Sequence, residues 1–113
     1  MYVRPELLGR DFLVERKTQT ITDAGRKAVI FRPTGDRLKG VLAEAKALEI
    51  ERWKQLQHPI THTIVMKGGR SPAKIGDRLV FGGRSFYVQG IDNIGALSIF
   101  TQIFAEERSD TNA

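Results

Sequence analysis

The chain has 113 residues and a formal charge of +5, with 41% hydrophobic residues, 27% charged residues and no cysteine. This composition indicates one small globular domain, and the lack of cysteine excludes disulfides and thiolate metal sites. No apolar run approaches the roughly 18 residues of a membrane span, and no secretory signal opens the chain. The positive charge is concentrated in residues 1–40, which hold nine Lys or Arg against five Asp or Glu.

The first third of the chain is predicted to contain short strands joined by polar turns. In chain order the predicted segments are an N-terminal arm at residues 1–10, a strand at Asp11–Arg16, a polar connection at Lys17–Lys27 with a turn at Asp23-Ala24-Gly25, and a strand at Ala28–Arg32. Pro33 is expected to stop this second strand because proline lacks an N–H for the ladder. Pro33-Thr34-Gly35-Asp36 has the composition of a turn.

The middle of the chain carries the one predicted helix, at Ala47–Gln57. A short strand is predicted before it, up to about Leu42, although helix-forming composition already begins at Ala43. Leu48, Trp53 and Leu56, with Ile50 and Ala47 nearby, are predicted to form a one-sided apolar stripe. Trp53 is the single tryptophan, and we expect it to anchor the helix across a barrel end or sheet face. His58-Pro59 should end the helix.

The C-terminal half alternates with a period of two and is predicted to be a β-meander. In order, the predicted features are a strand at Thr61–Lys67, a flexible cationic loop at Gly68–Lys74, a strand at Asp77–Phe81, a hairpin turn at Gly82-Gly83, a strand at Arg84–Ile91, a tight turn at Asn93-Ile94-Gly95, a strand at Ala96–Ala105 and a flexible polar tail at residues 108–113. Adjacent glycines between two strands favour a two-residue hairpin because they adopt positive φ readily.

No arrangement of residues in the sequence indicates catalysis, a metal or a cofactor. His58 and His62 are four residues apart, but Pro59 prevents the helix that would bring them together, and no third ligand of comparable type is near. Asp77, Asp92 and Glu106-Glu107 are interpreted as solvated acids at strand ends. The serines have no context that predicts a neighbouring base. We therefore expect a non-enzyme with no cofactor.

Several motifs in order resemble the head-tail joining (head-closure) proteins of tailed bacteriophages and their prophage relatives. The residues that carry the resemblance are Thr61-His62-Thr63-Ile64, Asp77-Arg78-Leu79, Gly83-Arg84, Phe86-Tyr87-Val88-Gln89-Gly90 and the acidic end Ala105-Glu106-Glu107-Arg108. They cover the chain from Trp53 to Arg108, while the first half matches only in its plan of short strands. The resemblance implies a mainly β fold, a small antiparallel β-barrel or meander with one short α-helix packed against it.

The resemblance also implies a role in the virion neck, reached from the cytoplasm of the host bacterium during assembly. Such a protein forms a homo-oligomeric ring, hexamer or dodecamer, that binds the portal or adaptor protein and the tail terminator protein and closes the channel around packaged DNA, with no membrane partner. In a ring, three cations of the loop would face the lumen and the DNA: Lys67, Arg70 and Lys74. The basic residues that would face the adaptor are Arg26, Lys27, Arg32, Arg37 and Lys39.

Two other functions are compatible with the same pattern. The first is a tail-completion or tail-terminator ring, because one small barrel architecture serves several connector positions. The second is a single-stranded nucleic-acid-binding barrel of the OB type, which requires exposed aromatic side chains on a basic face. The candidates for such a face are Phe81, Phe86, Tyr87, Phe100 and Phe104, which in a barrel this small are more often core residues.

Overall fold

The fold is described from a computed structural model, which covers residues 9–94 and 99–109. The elements in chain order are β1 (Arg10–Ile21), β2 (Lys27–Glu44), α1 (Ala47–Gln55), β3 (His62–Lys67), β4 (Arg78–Phe81), β5 (Arg84–Ile94) and β6 (Phe100–Arg108). The protein is thus mainly β with one short helix, as predicted. Arg10 belongs to β1 rather than to the predicted N-terminal arm, and Arg108 belongs to β6 rather than to the predicted tail. The rest of those two segments lies largely outside the described residues. Asn93 and Ile94, which were predicted to open a tight turn, belong to β5, and Gly95 lies outside the described residues.

The six strands form one antiparallel sheet that closes on itself in the order β1-β2-β3-β6-β5-β4. The closure is made by β4, whose Leu79 and Val80 pair with Val14 and Leu13 of β1. Consecutive antiparallel pairs account for most of this order, as in a meander. Closure removes the free edges that an open sheet would leave.

The core lies inside this ring and is built from side chains of every strand. Its fully buried members are Phe12, Val14, Leu38, Ile64, Leu79, Phe86, Val88, Ile103 and Ala105. Phe12 contacts Phe86 edge to face, with ring centroids 5.9 Å apart. The alternation predicted for the last strand is confirmed where it is described, since Thr101, Ile103 and Ala105 face inward.

The β1–β2 hairpin continues well beyond the barrel. Pairing of β1 with β4 is confined to Leu13–Glu15, and pairing of β2 with β3 to Gly40–Glu44, whereas β1 and β2 pair with each other as far as Ile21 and Lys27. We call residues 16–32 the arm; this segment is distinct from the N-terminal arm that was predicted at residues 1–10. It contributes to an elongated molecule of 53 × 32 × 25 Å. The prediction of a polar connection at Lys17–Lys27 was wrong, since much of it is strand and only residues 22–26 form the turn.

The prediction that Pro33 stops a strand was also wrong, because β2 runs through it to Glu44. The turn-like residues Thr34, Gly35 and Asp36 instead form a bulge between the register pairs Glu15↔Pro33 and Leu13↔Arg37. Gly35 has a φ of +90° in this bulge. The hydroxyl of Thr34 donates to the carbonyl of Val14 at 3.0 Å, which keeps the two strands together across the irregularity.

Helix α1 packs on the outside of the barrel and buries much less than its apolar stripe predicts. It ends at Gln55, two residues before the predicted end, and Gln57 follows with a φ of +63°. Leu48 is 86% exposed and Leu56 is 55% exposed. Of the residues in the apolar stripe, only Trp53 is substantially covered, so most of the stripe is exposed. No helix in the described ranges is long and apolar enough to cross a membrane.

Candidate interaction surfaces

The loop that follows β3 is held to the barrel by a buried carboxylate. Asp77 is 3% exposed and accepts a hydrogen bond from the backbone N–H of Lys74 at 2.8 Å. The hydroxyl of Ser71 accepts from the N–H of Ala73, and Ala73 itself is buried in the core. The second half of the loop that was predicted to be flexible is therefore bonded to the barrel and contributes Ala73 to the core. The expectation that Asp77 is a solvated acid is incorrect.

Asp77 also binds Arg16, at the base of the arm. The guanidinium donates from Nε to Oδ1 at 3.1 Å and from Nη2 to Oδ2 at 2.9 Å, and Nη2 reaches the carbonyl of Pro72 at 3.3 Å. These bonds to the carboxylate raise the pKa of Arg16 above its ordinary value. The pair thus joins β1 to the loop, across 61 positions of sequence.

The loop cations themselves point outward. Lys67, Arg70 and Lys74 are all exposed, and none forms an ion pair with another described residue. They are therefore accessible to an anion from outside the molecule.

The five other candidate basic residues fall into two groups. Arg26 lies in the turn of the arm, Lys27 begins β2, and Arg32 lies within the arm. Arg37 and Lys39 lie on the barrel part of β2, opposite Leu13 and Asp11. All five are exposed. The structure thus does not place them on one compact face, because the bulge at Thr34–Asp36 separates the two groups.

Aromatic and charged side chains anchor the base of the arm, a feature that no motif in the sequence predicts. Phe31 of the arm contacts Tyr87 edge to face at 5.5 Å, and the guanidinium of Arg78 lies 4.6 Å from the Phe31 ring centroid. Arg78 is also bonded to Glu15 at 2.6 Å. The only sequence signal was alternation in β5, which places Tyr87 on the face opposite Phe86.

A cleft of about 710 Å³ lies beside this cluster. Two of its carboxylates are engaged by arginines, Glu15 with Arg78 and Glu107 with Arg84. The two bonds from Arg84 to Glu107, at 2.6 and 2.9 Å, lower the pKa of Glu107, and the nearby His62 adds to this effect. Both acids are thus paired with arginines.

Trp53 lies over the outer face of the sheet. Its ring centroid is 4.8 Å from that of Phe104 on β6, and the indole covers Gly90 of β5, the register partner of Phe104. A Cβ at Gly90 would overlap the indole. Gly90 is therefore the residue that allows the indole to lie flat on the sheet.

Comparison with solved structures identifies the same fold in two other chains. The first is protein SF1141 from Shigella flexneri 2a, with a TM-score of 0.67, 16% identity, and coverage of 91% of this chain and 95% of that one. The second belongs to the virion of a native gene transfer agent particle, with a TM-score of 0.56, 15% identity, and coverage of 88% and 94%. No family model matches the sequence, and no curated protein matches it either.

Proposed function

We propose that this protein is a virion structural component that forms a ring at the head-tail junction of a tailed phage or prophage, between the portal or adaptor and the tail. The observation that carries the proposal is the fold shared with a chain of a gene transfer agent virion along nearly the full length of both. The order of motifs from Trp53 to Arg108, which resembles head-tail joining proteins, supports the same position. The ring would close the DNA channel and present a surface to the tail.

The physical character of the molecule suits an assembly role rather than catalysis. The sheet is closed, and the two cleft carboxylates that would be the first candidates for acid-base chemistry are ion-paired with arginines. Solvent-exposed apolar side chains remain on α1, where Leu48 and Leu56 are 86% and 55% exposed. Surfaces of this kind are frequent at contacts with other proteins.

A tail-completion or tail-terminator ring is the second candidate, because the fold alone does not decide the position in the particle. The OB-type reading has less support from the structure. Phe86 is fully buried, Tyr87 and Phe104 are 9% and 8% exposed, and Phe81 packs against the core. The part of the chain that the structure describes therefore offers few aromatic faces on which bases could stack.

The test is attachment to tail-less, DNA-filled capsids. We expect the purified protein to bind such capsids, alone or as a preformed ring, and to restore tail attachment, with its mass followed by light scattering. Binding to isolated tails in place of capsids would identify a tail-terminator ring. A monomer that ignores both particles and binds single-stranded oligonucleotides would contradict the virion role.

A further inference from the structure

We propose that the arm, residues 16–32, binds the phosphate backbone of duplex DNA. This inference rests on the proposed function in one respect, since it identifies the part of the protein that meets the packaged DNA. It assigns that contact to the arm rather than to the loop cations Lys67, Arg70 and Lys74.

The arm carries most of the net charge of the protein. It contains five Lys or Arg and one Asp, a net charge of +4 in a chain whose total is +5. Arg16 is neutralised by Asp77, but the other four cations form no ion pair with a described residue. Those four are Lys17, Arg26, Lys27 and Arg32, and all are exposed. An uncompensated cluster of this kind attracts a polyanion.

The cations are distributed around the arm, not along one face. The register places Lys17 and Lys27 on one face of the ribbon and Arg32 on the other, while Arg26 lies at the turn. A protein partner would usually meet one face, and lysines are depleted at the centres of protein interfaces. A DNA groove instead has phosphates on both sides, which suits a ribbon charged on both faces.

The dimensions and the remaining side chains of the arm also fit a DNA groove. Six residue pairs, from Arg16↔Arg32 to Ile21↔Lys27, make the ribbon, which at ~3.4 Å per residue is about 20 Å long. The major groove, roughly 12 Å wide, admits a two-stranded ribbon. The amide of Gln19 and the hydroxyl of Thr20 are groups suited to phosphate and sugar contacts, while the hydroxyl of Thr18 donates to the carbonyl of Ile30 at 3.4 Å. The exposed Ile21 and Val29 are able to contact sugars and thymine methyl groups.

The arm is held in shape, which lowers the entropic cost of binding. At the tip, the N–H of Gly25 donates to the carbonyl of Thr22, and the N–H groups of Thr22 and Arg26 are both bonded within the turn, at 2.8 to 3.2 Å. At the base, Phe31 packs on Tyr87 and Arg16 is fixed by Asp77. The cations are thus presented on a preorganised element.

The test compares two variants of equal charge. The arm variant is Arg26→Gln, Lys27→Gln, Arg32→Gln, and the loop variant is Lys67→Gln, Arg70→Gln, Lys74→Gln. Each loses three charges, from +5 to +2, so a general charge effect would weaken both equally. Binding to a fluorescent random-sequence duplex is measured by anisotropy as a function of salt. With four phosphate contacts the wild type should give a log–log slope of about −3.6, at about 0.9 per phosphate.

We expect the arm variant to lose at least tenfold in affinity and about three units of slope, and the loop variant to match the wild type. If the loop variant loses affinity and the arm variant does not, the loop binds the DNA and the arm does not. If the wild type does not bind duplex DNA at all, the proposal is overturned. An arm variant that binds duplex normally but no longer attaches to capsids would show that the arm faces a protein. Since capsid attachment of the wild type is measured separately, failure of this proposal is distinguishable from failure of the proposed function.

Discussion

Arg16 and Asp77 form a two-bond ion pair in which the carboxylate is almost fully buried and the guanidinium is partly open to solvent, with side-chain exposures of 4% and 40%. The carboxylate depends on this partner, because its one other described donor is the N–H of Lys74. The pair connects the base of the arm, the loop and the start of β4. Both cationic segments, the arm and the loop, are therefore bonded to one buried carboxylate.

Replacing Asp77 by Asn should destabilise the fold. The amide has one acceptor oxygen where the carboxylate has two, so the two-bond, charge-assisted pair with Arg16 is lost and the amide NH2 faces a donor. We expect a loss of about 1–2 kcal/mol in the free energy of unfolding, kept small by the solvent exposure of Arg16. Urea unfolding measures it, with Asp23→Asn at the exposed arm tip as the matched control. Equal stability of the two variants would mean that the pair contributes nothing.

Gly90→Ala should displace Trp53, since the new Cβ would overlap the indole. We expect a cost of about 1–3 kcal/mol from overpacking and a red shift of the fluorescence of the single tryptophan as it becomes exposed. Adding Trp53→Leu should recover part of the loss, because the smaller side chain leaves room for the methyl group. If the double variant shows only the sum of the two single effects, the residues do not contact each other as described.

These two sites mark what the sequence can predict and what it cannot. Alternation in the C-terminal half identified the strands, and the single tryptophan was a reasonable anchor for the helix, because both signals are local. The burial of Asp77 depends on Arg16, 61 positions away, and no local pattern indicates such a partner. For the same reason the apolar spacing of Leu48 and Leu56 predicted a stripe on one side of the helix but not whether the barrel covers it, and both side chains are exposed.

Turn composition shows the same limit at two places. Gly82-Gly83 was correctly predicted as a hairpin turn, because the strands on either side leave it only two residues. Pro33-Thr34-Gly35-Asp36 has equally strong turn composition but forms a bulge within β2. Turn composition indicates that the backbone is irregular at these residues. Whether the strand ends there depends on its pairing with β1, which composition does not show. The arm was missed for this reason.

The hairpin turn between β4 and β5 should accept asparagine. Gly82 and Gly83 have φ of +56° and +78°, and nothing lies within 4 Å of a Cβ placed at either. Asn followed by Gly is the preferred pair when both φ are positive. Gly82→Asn should therefore leave thermal stability unchanged or raise it, by up to about 1 kcal/mol through the unfolded state.

A valine at the same position provides the contrast. Val is of similar bulk but is strained at positive φ, so Gly82→Val should cost about 1–2 kcal/mol. Thermal unfolding followed by circular dichroism distinguishes the two variants. If Asn and Val destabilise equally, bulk and not backbone conformation limits this turn.

The ion pair of Glu107 with Arg84 predicts a direction for the pH dependence of stability. The pKa of Glu107 is lowered from its ordinary 4.5, first by the hydrogen bonds from Arg84. The folded state therefore binds the proton more weakly than the unfolded state. The stabilisation is complete above pH 4.5 and is lost as the pH falls below that value through the lowered pKa of the folded state.

The Glu107→Gln variant isolates this contribution. Its free energy of unfolding, measured in urea from neutral pH downward, should be lower than that of the wild type at neutral pH by at most about 1 kcal/mol, since the pair is partly exposed. The difference between the two proteins should shrink as the pH falls, because the wild-type carboxylate becomes protonated while the amide does not titrate. High salt should shrink it as well. A difference that persists unchanged into acid would mean that Glu107 stabilises the barrel through packing and not through its charge.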